Sequence, residues 1–416
     1  MARPVYIIDG SRTPFLKAQG GPGPFTPVDL AVQAGRPLLA RQPFAPSAFD
    51  QVILGCVNVI ADEMNPARVA ALRLGMGEEM VSFTVQINCG SGMQSIDTAY
   101  RYIEAGDADM ILAGGTEALS YAPLVFPQSG VRWFAKFATA RTTFSKLAAF
   151  LKVRPSYFNP VIGLERGLTD PVTDLNMGQT AEVVAHLMGV TREQSDAYAV
   201  ESHQRLARAQ EQGYLKNEIE IAFARDGKFY DHDDGVRADS SMEKLAKLRP
   251  VFERPWGQVT PGNSSQITDG ASWTILASED VIKDSAWAGL DPAIMGFGPV
   301  MSATKLLKKH NLTLQEIDTW EINEAFAAQL LACLAAWNDD TFCREVLGLP
   351  GAAGQIDHAK LNVDGGAISL GHPVGTSGNR IVLHLVNAMK RLGTKRGIAT
   401  ECIGGGLGGA MLIETG

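Results

Sequence analysis

The chain has 416 residues, 45% of them apolar, and a formal net charge of −8. That length supports two or three domains with sizeable cores, and the acidic balance argues against a nucleic-acid partner, which wants a net basic face. No run of about 18 apolar residues offers a membrane span, so an ordinary soluble enzyme is expected.

In chain order, Met-Ala-Arg-Pro leads through a short apolar run to Asp9, a pattern unlike a secretory leader. Residues 81–87 form an apolar run and 93–104 carry a helical pattern, with Ile87-Asn88-Cys89-Gly90-Ser91-Gly92-Met93-Gln94 as the turn between them. A thiol at such a turn meets free backbone N–H groups and the positive end of a helix dipole, which favour a thiolate. A small buried residue at a tight turn is the bland alternative, and the glycines on both sides of Ser91 weigh toward a nucleophile. A strand over residues 110–113 then ends in Gly114-Gly115.

The segment from about Tyr121 to Pro250 differs in kind. Its first part carries Arg132, Lys136, Arg141, Lys146, Lys152, Arg154 and Arg166 among Trp133, Phe134, Phe137, Phe144, Leu147, Phe150 and Leu151, against only Glu165 and Asp170. Three readings stay open: a solvated helix docked on the body, a membrane-surface or partner-binding helix, or the cationic side of a nucleotide-like ligand site.

Three more segments complete the chemistry. Glu321-Ile322-Asn323-Glu324-Ala325-Phe326-Ala327 puts Asn323 at the border of a helix running to about Trp337, where a helix cap is the simplest role. His372 stands in a glycine-dense loop, residues 365–378, that opens a helix over 379–392, and can serve as the base. A strand at 397–401 leads into Cys402-Ile403-Gly404-Gly405-Gly406-Leu407-Gly408-Gly409, a second thiol beside unobstructed backbone amides. That combines a proton donor with an oxyanion cradle. The order of loop, helix, strand and paired glycines thus occurs in both halves, which predicts two similar α/β units with parallel sheets rather than a solenoid.

Some attractive patterns fail. Gly404, Gly406 and Gly409 satisfy G-x-G-x-x-G after a strand, but another strand follows and no ribose-binding acid lies downstream, so a dinucleotide site is excluded. The five cysteines (56, 89, 333, 343 and 402) lack metal-ligand spacing and read as reduced thiols in an intracellular, cytoplasmic setting. His186, His203, His232, His310, His358 and His384 read as structural.

Taken together, the segments around Cys89, Asn323, His372 and Cys402 resemble the thiolase family, acyltransferases that make or break a carbon–carbon bond between acyl groups carried on coenzyme A. Ser11-Arg12-Thr13-Pro14-Phe15, Asn176-Met177-Gly178-Gln179-Thr180-Ala181-Glu182, and Gly262-Asn263-Ser264-Ser265 before Asp269-Gly270-Ala271 agree, so the resemblance spans essentially the whole chain. It implies a duplicated, five-layered αβαβα fold with an inserted loop domain. The halves would be residues 1–121 plus 251–288, carrying the nucleophile, and 289–416, carrying Asn323, His372 and Cys402, with 122–250 covering coenzyme A.

The resemblance also implies ping-pong thiolysis of a 3-ketoacyl-CoA. Cys89 is the acylated nucleophile, His372 its base, and Cys402 the group that protonates the departing carbanion. His372 and a water on Asn323 form one oxyanion hole, and the N–H groups of Cys89 and Gly404 the other. Met177 and Ser265 line the pantetheine. No metal and no bound cofactor are implied; CoA and acyl-CoA are substrates. The layout looks closest to degradative enzymes of fatty-acid β-oxidation, assembled as homodimers or homotetramers, with a multifunctional partner subunit or a membrane surface as candidates for residues 130–168. An acetoacetyl-CoA-specialised enzyme is the alternative, although members of that type often have histidine where this chain has Asn176. A ketoacyl-synthase relative would use a second histidine at the place of Cys402, and a non-catalytic scaffold member would lose one of the motifs.

Overall fold

In the computed structural model, residues 3–278 and 282–415 are described, so Met1 and Ala2 of the segment read against a leader lie outside it. The body is built on one large mixed sheet. Its order is Thr319–Ile322, Arg396–Ile403, Leu407–Glu414, Ile282–Gly289, Val5–Arg12, Thr268–Ser278, Met110–Ala118, Gln51–Gly55 and Val81–Val85. The two halves repeat one pairing scheme. The Ile282–Gly289 strand, which the sequence boundary at 288/289 places in the first half, pairs along its length with the Leu407 strand and so goes with the second. In the first half, the Gln51 strand runs parallel to the Met110 strand, which is antiparallel to the Thr268 strand, itself antiparallel to the Val5 strand. In the second, the Thr319 strand runs parallel to the Arg396 strand, followed by antiparallel Leu407 and Ile282 strands. The halves join through a single short pairing, Val5 with Ile282.

The expected duplication is therefore present, and the expected parallel sheets prove mixed, with parallel and antiparallel pairs. Parallel pairs arise only where a helix crosses over. Among the antiparallel pairs of the body, the Arg396 and Leu407 strands are joined by the short glycine turn between Ile403 and Leu407, whereas the Val5, Thr268 and Met110 strands and the Ile282 and Leu407 strands pair across long stretches of chain.

Helices complete the layers. Pro27–Ala40 and Pro66–Arg73 cover one outer face and Gly298–Lys309 and Ala327–Asn338 the other, while Ser91–Ala105 and Val374–Leu392 pack against each other in the middle. Local signals set their ends. Thr26 accepts from Asp29 N in a capping box before Pro27, and the two central helices stop at left-handed Gly106 and Gly393. The central pair can touch because each carries a glycine near its N-terminal end. A methyl group on Gly92 would lie 2.7 Å from the Asn379 nitrogen, and one on Gly378 2.6 Å from the Met93 nitrogen. That contact brings the Cys89 and His372 loops, which open the two helices, to the same end of the body. Among the described residues no helix is long and apolar enough to cross a membrane.

Candidate active site

The strand before Cys89 ends at Val85 and the helix after it starts at Ser91, so Cys89 occupies the strand-to-helix turn that its neighbours predict. Asn88 takes a left-handed conformation, φ 47°, which asparagine tolerates better than most residues. Its Nδ2 donates to the Gly404 carbonyl at 2.8 Å, tying the turn to the glycine loop of the other half. Ser91 Oγ closes the turn by donating to the Asn88 carbonyl, 2.7 Å, and accepting from Ile87 N, 2.9 Å.

Cys89 is half-buried and lines a cavity of about 530 Å³ with Asn88, Met177, Gly404, Gly405, Leu119, Pro123, Leu164, Leu168 and Val374 among its walls. Burial pushes the thiol up to about 12, with the Glu401 carboxyl adding to the rise; the N–H groups of Gly404 and of Cys89 itself oppose it by hydrogen-bonding to sulfur. The dipole and amide effects anticipated at this turn are present but do not win, because desolvation outweighs them. Cys89 therefore rests as a thiol rather than a thiolate.

Among the described residues, His372 carries a buried imidazole with one free ring nitrogen. The imidazole is nearly fully buried, and its Nδ1 sits 2.6 Å from Ser377 Oγ, which leaves Nε2 without a protein partner among the described residues. Burial, helped by the Arg380 guanidinium, lowers its pKa to about 4, so the ring is neutral and able to accept. Two acids hold its loop. Glu117 accepts from Gly375 N at 3.0 Å and from Val57 and Asn58 N, while Glu324 accepts from Ile368 N at 3.2 Å. Burial raises Glu117 to about 7.

Asn323 is not a helix cap. The helix begins at Ala327, its cap position is Phe326, and the Asn323 side chain is fully buried with neither its oxygen nor its nitrogen paired within the described protein. A buried amide with both ends unpaired is costly and is what a group waiting for a ligand or water looks like. Cys402 is the penultimate residue of the Arg396–Ile403 strand, buried in a small cluster with Met295 and Ala325 against Met177 and Phe326. Burial, then the nearby Cys89, holds its thiol well above the ordinary value.

Of the residues expected at the site, Cys89, Met177 and Gly404 line the cavity; Cys402 packs with Met177, and Asn323 and His372 are buried and are not among the lining residues. Ser265 does not line it; its N–H donates to the Ala325 carbonyl at 2.9 Å, so it braces the Asn323 loop. Sequence reasoning missed Glu117, Glu324 and Glu401, all fully buried. Their signal was available, since each acid sits in or beside an apolar strand, where a charge is retained only for a purpose.

Comparison with known proteins agrees with this geometry. Residues 5–280 match the family model described as the thiolase N-terminal domain and 276–415 the thiolase C-terminal domain. The mitochondrial 3-ketoacyl-CoA thiolase of Bos taurus is 36% identical, covering 100% of this chain and 99% of that protein, and the beta-ketoadipyl-CoA thiolase of Pseudomonas aeruginosa is 37% identical with 100% of both covered. The solved structure of the Bacillus anthracis acetyl-CoA acetyltransferase superposes with TM-score 0.85 at 34% identity, covering 99% of each chain.

Proposed function

The chain belongs to the thiolase family of acyltransferases, and we propose that it cleaves an uncharged 3-ketoacyl-CoA with coenzyme A, giving acetyl-CoA and a shortened acyl-CoA through an acyl–Cys89 intermediate. The observation that carries this reading is the cavity at Cys89. Its walls are mainly apolar, and among the described residues its only ionisable lining groups are Cys89 and Asp170, with no Lys, Arg or His. An acyl chain ending in a carboxylate, as a ketoadipyl group does, would meet no counter-charge there and would lose its hydration without compensation.

In the proposed cycle His372 Nε2 takes the Cys89 proton as sulfur attacks the 3-keto carbon. The C2–C3 bond breaks, its electron pair leaves as the acetyl-CoA enolate, and Cys402 delivers a proton to that carbon. The costly species is the enolate, so its oxygen needs donors already in place. The unpaired Asn323 amide, through a water, and the His372 ring support that role, and the Gly404 and Cys89 N–H groups suit the acyl-enzyme oxygen. Removing one such donor costs about 2.7–4 kcal/mol. CoA then takes the acyl group from Cys89 as its thiol proton passes to the enzyme.

Met177 lines the pantetheine path in this reading, Ser265 supports it from behind, and residues 122–250 form the cover between the two halves. Fatty-acid β-oxidation, a cytoplasmic location and assembly as a homodimer or homotetramer, with or without a multifunctional partner subunit, belong to the same proposal; free cysteines suit a reducing compartment. The acetoacetyl-CoA-specialised alternative shares the chemistry and differs in chain length. Incubation with acetyl-CoA and no acceptor, followed by peptide mass spectrometry, tests the nucleophile, and a label confined to another cysteine would refute it. Comparing kcat/KM for acetoacetyl-, 3-ketooctanoyl- and 3-ketoadipyl-CoA tests the substrate class: the octanoyl substrate should lead, and a lead for either of the others would overturn that part.

A further inference from the structure

Between strands Leu124–Val125 and Val161–Ile162, which pair antiparallel, the chain leaves the layered body. The excursion consists of helices Gln128–Thr139 and Thr143–Phe150 and a 3-10 turn at Pro155–Phe158. Its interior is a small ring cluster. Trp133 stacks on Phe137 with centroids 5.6 Å apart, meets Phe158 edge-on at 5.8 Å, and donates its indole N–H to the Ala149 carbonyl at 2.9 Å.

That cluster uses up only part of the apolar surface. Phe144 is 81% exposed, Leu151 75%, Leu124 66%, Phe150 58% and Leu147 55%. No Asp or Glu occurs from Tyr121 to Leu164, while Arg132, Lys136, Arg141, Lys146, Lys152 and Arg154 are all exposed. Among the described residues none of these cations enters an ion pair. In a chain of net charge −8, a carboxylate-free stretch with unpaired cations interleaved among bare aromatic and aliphatic side chains is complementary to a surface that is both anionic and apolar.

We propose that this excursion is a docking element for an anionic lipid surface. Phe144, Phe150 and Leu151 insert at the boundary of headgroups and acyl chains, while the lysine and arginine stems lie along it with their charges among the phosphates. A docking groove for a peptide would gather the apolar side chains into one concave stripe with satisfied polar rims; here they are bare and spread over both helices and the turn after them. The root of the excursion is also the wall of the Cys89 cavity. Pro123, Gly163 and Leu164 line that cavity, and Gly163 N donates to the Pro123 carbonyl at 2.9 Å. Docking therefore holds the cavity wall close to a surface into which amphiphilic acyl-CoA esters partition, and it stands whether or not the roles assigned around Cys89 hold.

The test is flotation of the full chain with vesicles of phosphatidylcholine alone or with added phosphatidylglycerol, at low and high salt. The expected result is binding to the anionic vesicles only, reversed by salt. A variant with Arg132→Gln, Lys136→Gln, Lys146→Gln and Lys152→Gln should bind roughly 100-fold or more weakly, and Phe144→Ser with Phe150→Ser should weaken binding at unchanged charge. Both variants should turn over acetoacetyl-CoA with the parent's kcat and KM for CoA, which also certifies their fold. Equal flotation with neutral vesicles, no flotation at low salt, or parental binding by either variant would overturn the proposal. So would a raised KM for CoA in the charge variant, which would assign these cations to CoA phosphates, or a changed oligomeric state without lipid binding, which would assign the face to a second copy.

Discussion

Replacing Glu324 by glutamine probes how the two wings of the site are held together. The Glu324 carboxylate is fully buried. Its Oε1 accepts from Tyr198 Oη and Asn362 Nδ2, each at 2.9 Å, and its Oε2 from Ser202 Oγ at 2.7 Å and Ile368 N at 3.2 Å. Glutamine turns one of those oxygens into an NH₂ group. The hydroxyls of Tyr198 or Ser202 can rotate to accept from it, but the Ile368 amide cannot. Asn362 is equally fixed, because its own oxygen accepts from Ile322 N and its Nδ2 also donates to the Ile322 carbonyl. Whichever way the new amide faces, one donor confronts another, at a cost of about 1–3 kcal/mol.

Glu324 follows Asn323 and bonds the segment that leads to His372, so the displaced backbone carries with it both groups proposed to hold the enolate oxygen. Glu324→Gln should lower the urea midpoint, reduce kcat, and leave the KM for CoA near the parent value. Urea unfolding in a cycle with Asn362→Ala should show a coupling of about 0.5–3 kcal/mol, because both changes disrupt one network. Strict additivity together with an unchanged kcat would refute the claim that this network positions the site.

Cys402→Ala should still accept an acetyl group on Cys89 but exchange the acetyl methyl protons with solvent far more slowly; unchanged exchange, followed by NMR in deuterium oxide, would remove Cys402 from the proton-transfer role. The pH dependence of stability has two limbs of opposite sign. His372 and His203, each lowered to about 4 mainly by burial, remain neutral in the fold while the unfolded chain protonates, so stability falls as pH drops from about 6.5 toward 4, by up to about 3 kcal/mol per histidine. His384, held charged by Glu218, Glu321 and Asp364 and raised to about 10 despite burial, contributes stability that is complete below 6.5 and lost as pH rises through about 10. His384→Gln should flatten the alkaline limb of a denaturation series and leave the acid limb in place. At the helix crossing, Gly378→Ala would place a methyl 2.3 Å from Glu401 Oε1 and 2.6 Å from the Met93 nitrogen. It should cost about 1–3 kcal/mol by overpacking and impair Cys89 acylation, whereas Gly21→Ala, with open space around it, should do neither in thermal melts or acylation assays.

What the residue order determined by itself was local and chemical. The thiol between a strand and a helix, the glycines that let helices start and backbones approach, the histidine loop and the terminal Cys-Ile-Gly-Gly-Gly turn are short-range patterns, and the structure brings the segments that carry them to one end of the body. The duplication was legible because both halves repeat the same local order. Tertiary structure decided whatever depends on distance or dielectric. Strand direction came out mixed because most antiparallel partners come from distant parts of the chain, which no local pattern specifies. Asn323 exchanged an expected capping role for a buried, unpaired amide because its helix begins four residues later, at Ala327. The Cys89 thiol came out raised rather than lowered because desolvation and Glu401, far away in the chain and near in space, outweigh the amides of its own turn. Glu117 and Glu324 escaped notice for a related reason: a carboxylate's role follows from the donors that converge on it, and some of theirs arrive from segments more than a hundred residues away.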